Sequence, residues 1–476
     1  MHPNNNSQWR DLFSGRNGAI SFALSFGVVI HAINILMATT ILPSVVTDIG
    51  GMGLYAWNTT LFVAASIIGS VLSARLLSLL GAKGAYLAGT VLFFIGSLLC
   101  AIAPKMEVML IGRFVQGLGG GLLFALSYAM VNIVYDQALW PRAMALISGM
   151  WGVATLIGPA IGGIFAQLDA WRYAFGIMLP IMLFYGIYLW VILPKNDNDA
   201  PKSTSQSLPY LQLIILTAAV LLISSGSLSS SLTINLLSIV VVFGLIGVLI
   251  FCEKRLTVRL LPTNTFKDLS LHALLYLTIS LLAIGMTCEI FVPYYLQSLH
   301  MQTPLASGYM SALMALGWTV AEVISASWQG AKMRFSILSG PIIVFIGLLV
   351  LAFVIPNPLL QSENVVSLFI ILFALFLVGY GIGFGWPHLL TRILQAASTQ
   401  DKDIAGASIT TVQLFATALG SAFAGMIVNL NGFNSGTPEG LSTSASALFL
   451  FLALAPLMAI YTAWKITRCS NLIKIQ

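Results

Sequence analysis

Charge is what this chain has least of. Only 8% of its 476 residues are Asp, Glu, Lys or Arg, against about 25% in a soluble domain, so no ordinary solvated surface can be built from it. Cysteine is nearly as scarce. Cys100, Cys252, Cys288 and Cys469 show no CxxC and no paired spacing, which argues against a disulfide framework or a zinc site. The five histidines and fifteen acids form no HExxH or other metal-spaced cluster. No loop carries a Lys/Arg run interleaved with aromatics, so the formal net charge of +6 does not point to a nucleic-acid partner.

What fills the chain is apolar: 58% of residues are hydrophobic, gathered into fourteen long stretches between Ile20 and Ile466. A run of 18 or more apolar residues spans the ~30 Å hydrocarbon core as a helix, and the short alternating segments of a membrane barrel are absent. The chain therefore reads as an all-α polytopic membrane protein with the lipid bilayer as a partner. Its first run, 20–43, exceeds the roughly 7–15 apolar residues of a cleaved signal and is kept as the first span. Of the 21 Lys and Arg residues, eighteen fall on one set of alternate loops and the two tails. Lys105 and Arg172 lie on the opposite set, and Arg113 lies inside a span. Basic loops face the cytoplasm, so both termini are expected there.

The longest polar connection, KNDNDAPKSTSQS at 195–207, reads as a flexible linker and divides the chain. The expected organisation is a tail (1–19), a six-helix half (20–193), the linker (194–208) and two additional helices (209–252). A cytoplasmic connection (253–269), a second six-helix half (270–466) and a tail (467–476) follow. An internal repeat supports this: GAKGAYLAG begins at Gly81 and GAKMRFSIL at Gly330, each after the second span of its half. Parallel six-helix repeats with a binding site between them are a transporter architecture.

The fourth span contains IGRFVQGLGGG (111–121). Arg113 lies about 9 Å from the outer boundary, where a guanidinium needs a polar cavity or an acid, or must snorkel outward. Gln116, one turn on, shares its face. The fifth span carries GVATLIGPAIGG (152–163). There Gly158, Gly162 and Gly163 allow close helix approach and Pro159 can kink the helix, which suits either a rocking interface between halves or ordinary packing. The Gly-rich runs 117–121 and 379–385 lack the strand–turn–helix setting of a phosphate loop and read as helix packing. Tyr294 and Tyr295 read as an interfacial belt.

The segments IGRFVQGLGGG, GPAIGG, WRYAFGIMLP, FFIGSLLCAIAP and MATTILPSVVTDIGG resemble those of the major facilitator superfamily, nearest its fourteen-helix drug:proton antiporter branch. The resemblance implies two six-helix halves with two extra central helices. It implies proton coupling through Arg113 and an exporter-type helix contact shaped by Gly158, Pro159, Gly162 and Gly163. Two positions depart from the pattern. The gate loop keeps Gly81 and Lys83 but has Ser78 where the family usually has an aspartate. Asn34 stands in the first helix where this branch often has an acid.

Four ionisable residues within spans remain as proton-coupling candidates: Arg113, His31, Glu289 and Glu322. His31, near the midplane, has a side chain that titrates near neutral pH, although a buried neutral histidine or a substrate contact fits equally. Glu289 sits at a depth similar to Arg113, so a pair or relay is open. Glu322 lies toward the cytoplasmic side, where packing is an equal reading. Asn34 and Gln116 are substrate-cavity candidates. The expected function is proton-driven export of drugs or other small amphipathic compounds by a bacterial inner-membrane protein. It would work as a monomer with no cofactor beyond the proton gradient. Export or import of one metabolite or siderophore is the alternative. A membrane enzyme would need a catalytic cluster, and none is visible.

Overall fold

The computed structural model describes residues 9–136, 139–193, 209–229, 231–263, 265–267, 270–357, 365–398 and 401–469. Helices and short 3-10 turns make up its regular structure, with no strand among the described residues. By length and composition, eleven helices can cross a membrane, and Tyr210–Gly226 is a shorter apolar helix. The chain packs as two compact units, Met1–Ile49 with Leu61–Leu208, and Gly50–Thr60 with Pro209–Gln476.

Unit 1 holds α1 (Trp9–Phe13), α2 (Gly15–Ile49) and most of α3 (Trp57–Ala101), then α4 (Met106–Val134), α5 (Trp140–Gln167), α6 (Trp171–Gly176) and α7 (Met178–Ile192). Within the polar N-terminal tail, Trp9–Phe13 form a short helix. Leu12 is fully buried and its carbonyl accepts from the Ser21 hydroxyl at 2.8 Å, so this residue ties α1 to α2. The second and third expected spans form one element, α3, bent at Gly81 with φ 67° and ψ 176°. That conformation favours glycine. The repeat partner Gly330 also has a positive φ, 58°, so the repeated GAK marks a backbone requirement in both places.

Unit 2 holds α8 (Tyr210–Gly226), α9 (Leu232–Arg255), α10 (Leu271–Met286), α11 (Val292–Ser298), α12 (Pro304–Ser325), α13 (Gly330–Val354), α14 (Val365–Ala396), α15 (Lys402–Leu430) and α16 (Pro438–Cys469). In α14, the glycines of 379–385 press alternately on two neighbours. A Cβ on Gly379 or Gly383 would run into the Met314 or Trp318 carbonyl of α12, and one on Gly381 would lie 2.6 Å from the Gly340 carbonyl of α13. The additional helices α8 and α9 meet α15 through Ala219, Ile223, Val242, Leu419, Ala422 and Met426. The rest of α9 presents Leu237, Val240 and Phe243, each more than 60% exposed, a surface suited to lipid tails. The 194–208 linker falls outside the described residues, as does the C-terminal tail beyond Cys469.

Candidate functional site

Two helices of unit 1 bring its polar residues together. His31 and Asn34 are three apart on α2, and Arg113 and Gln116 are three apart on α4, so each pair projects from one face. Arg113 Nη1 donates to Asn34 Oδ1 and, at 2.7 Å, to Gln116 Oε1. Gln116 Nε2 donates to Ser97 Oγ at 2.9 Å. The guanidinium also lies over the Phe62 ring at 4.2 Å, a cation–π placement. Arg113 is 1% exposed, so it does not snorkel to the surface. Where the branch often has an acid, Asn34 offers this arginine a neutral acceptor.

His31, 2% exposed, sits beside this network in an aromatic box. Its ring lies 5.3 Å from Phe62, 5.2 Å from Phe124 and 6.4 Å from Trp151. Phe62 thus touches both His31 and Arg113. Neither His31 Nδ1 nor Asn34 Nδ2 has a hydrogen-bond partner among the described residues. A Cβ on Gly120 would lie 2.8 Å from His31 Nδ1, so that glycine leaves room for the imidazole. Gly117 and Gly121 let α4 press on the Phe62 and Ser66 carbonyls of α3. Ser97 and the box aromatics carried no sequence signal, since a lone serine or phenylalanine in an apolar run looks like packing.

The other sequence-marked residues of unit 1 lie elsewhere. A Cβ on Gly158 would meet Leu36 Cβ at 2.7 Å, and one on Gly162 the Met37 carbonyl at 2.7 Å. Pro159 is inside the same helix and Gly163 is buried. The neighbour that Gly158 and Gly162 approach is therefore α2 of the same unit. In the gate loop, Ser78 is exposed and its hydroxyl donates to the Arg75 carbonyl at 2.8 Å. Lys83 lies over the Trp190 ring at 4.3 Å.

Glu289 belongs to unit 2, while the acceptors named for Arg113, Asn34 and Gln116, lie in unit 1. The ninth expected span is not one continuous helix. It breaks into a 3-10 turn at Thr287–Ile290 between α10 and α11, and Glu289 sits on that turn. Pro293 has no N–H to give the Glu289 carbonyl four residues back, which explains the break. Glu322 is part-buried on α12, one turn after Trp318. Tyr295 is fully buried, with its hydroxyl 3.0 Å from Ser444 Oγ, so it belongs to the interior of unit 2 rather than to an interfacial belt. Among the described residues no group of three or more His, Cys, Asp or Glu could hold a metal ion.

The sequence pattern of the Major Facilitator Superfamily matches residues 24–425. The chain belongs to this superfamily. It is 36% identical over 464 residues to a probable multidrug-efflux transporter of Mycobacterium tuberculosis, covering 96% of both chains. An uncharacterised transporter of Escherichia coli is 23% identical over 324 residues, covering 67% of this chain and 69% of that one. Among solved structures, a peptide transporter in complex with alafosfalin matches with a TM-score of 0.68 at 15% identity, covering 94% and 95% of the two chains. A D-xylose–proton symporter matches with a TM-score of 0.65 at 14% identity, covering 95% and 98%. At such identities the structures share the fold alone. This superfamily member is a multi-pass membrane transporter.

Proposed function

We propose that this protein exports drugs or other small amphipathic compounds by alternating access, driven by inward proton flow. The observation that carries the reading is the 36% identity, end to end, to a probable multidrug-efflux transporter. A buried guanidinium and imidazole sharing one phenylalanine, inside a fold otherwise poor in charge, support proton coupling. Such groups are expensive in a bilayer and mark ion or proton pathways. Arg113, His31, Glu289 and Glu322 are the coupling candidates, and Asn34 and Gln116 contribute to the substrate cavity. Glu289 is the favoured acid, because the broken helix frees its backbone at the same place.

Fourteen spans fit the fold. Of the eleven candidate helices, Met52–Ala101 contains two arms meeting at Gly81. Tyr210–Gly226 and Pro304–Ser325 add one each, the latter with 22 residues. The Lys/Arg bias then puts both termini in the cytoplasm of a bacterial inner membrane, with the divisions after 193, 208, 252 and 269 separating halves, linker, additional helices and connection. No cofactor is needed, and the monomer suffices.

The deciding experiment is transport of a panel of dyes and antimicrobials in proteoliposomes under an imposed pH gradient. Several chemically unrelated cargoes should move, each at least fivefold faster with the gradient than without it. Rates indifferent to the gradient would remove proton coupling. Movement of a single metabolite from the panel would replace multidrug export.

A further inference from the structure

The first connection, Gly50–Thr60, packs with unit 2, although α2 before it and the rest of α3 after it pack with unit 1. Several attachments hold this strap. Asn429, near the end of α15, donates its amide to the Gly53 carbonyl at 3.0 Å and to the Ser227 carbonyl at 3.1 Å. Trp57 Nε1 donates to the Ser224 carbonyl at 3.1 Å, and the Thr60 and Ser421 hydroxyls share a bond of 2.8 Å. Tyr55 sits among Phe291, Tyr294 and Phe433, with ring centroids 5.2, 5.4 and 5.5 Å away.

Ser224 and Ser227 end α8, the first additional helix. The last carbonyls of a helix have no partner inside it, and here Trp57 and Asn429 supply two. Asn429 therefore joins the strap and the additional helix through one amide group. The seat is not perfect: the buried Tyr55 hydroxyl has no hydrogen-bond partner among the described residues, a penalty that docking carries. Only seven residues, 50–56, separate α2 from α3, so a docked strap has little slack at the helix ends it joins.

We infer that Asn429 is a positioning residue that latches the Gly50–Thr60 strap, that α8 is the fixed stop for this latch, and that the strap must release during transport. The transport arm of this inference rests on the export reading, and the exchange arm does not. A Cβ on Gly53 would lie 3.4 Å from the Asn434 amide oxygen, so a G53C/N434C pair can be joined by mild oxidation. The joined protein should lose at least tenfold in gradient-driven transport, and reduction should restore it, while each single-cysteine variant is unaffected by oxidation. A pair that does not join, or a joined protein within twofold of the reduced one, overturns the latch. In parallel, N429A and W57F should each speed hydrogen exchange of the 50–60 peptide at least tenfold, and unchanged exchange overturns the role of Asn429 and α8. Failure of the reduced protein to move any cargo would defeat the export reading and leave the exchange result standing.

Discussion

Arg113 makes its bonds through geometry that lysine cannot copy. A planar guanidinium can serve Asn34 and Gln116 while lying over Phe62, whereas an ammonium is a hydrated point charge. R113K should therefore lose at least tenfold in gradient-driven transport, about 1.4 kcal/mol, with melting temperature changed little. Retained transport would show that charge alone suffices. His31 and Gly120 permit a sharper test of contact. The methyl of G120A would press on the imidazole at a cost of about 1–3 kcal/mol, and H31A should relieve it. A double-mutant cycle on thermal stability should show the pair less damaged than the sum of its parts. Strict additivity would put the ring elsewhere. The i, i+3 spacing made each pair legible in the sequence. Which partner Arg113 meets depended on how α2 and α4 pack, and no local pattern holds that.

At the scale of one helix, Pro293 is the cause to remove. Alanine there restores an N–H for the Glu289 carbonyl and lets α10 and α11 join, turning the Glu289 side chain to a new direction. P293A should keep or raise stability while losing most of the difference between transport with and without a pH gradient. Preserved coupling would clear Glu289 of its proposed role. The proline was visible in the sequence, yet an apolar run of this length reads as one helix until the orphaned carbonyl is counted. Helix packing gives a second contrast. G379A would drive a methyl into the Met314 carbonyl, costing at least the roughly 1–3 kcal/mol of overpacking. Nothing lies within 4 Å of a Cβ on Gly244 in α9, so G244A should stabilise by about 0.8–1 kcal/mol through helix propensity. Melting temperatures in one detergent compare the two directly. Equal shifts would contradict the tight seating of α14 on α12.

For the whole molecule, hydropathy carried the class and the helical content, because each is a sum over many residues, while the family rested on a few motifs such as IGRFVQGLGGG and GPAIGG. The strap escaped that reading, since nothing in Gly50–Thr60 says that it packs with helices from the far end of the chain. Span count is the remaining whole-chain property, and it turns on α8. With 17 residues, α8 reaches about 25 Å, short of the ~30 Å core, so it crosses only by local thinning of the bilayer or by leaning on its neighbours. Its packing against α9 and α15 through Ala219 and Ile223 provides the second. If α8 crosses, alkaline phosphatase fused after Leu228 should be active and the same reporter after Arg259 inactive, while a C-terminal fluorescent fusion should glow inside the cell. If α8 stays on the surface, α9 carries the chain outward, and the activities after Leu228 and Arg259 exchange. The eighteen Lys and Arg residues weigh against that exchange, because four of them, Lys254, Arg255, Arg259 and Lys267, lie at or just after the end of α9 and would have to cross the membrane.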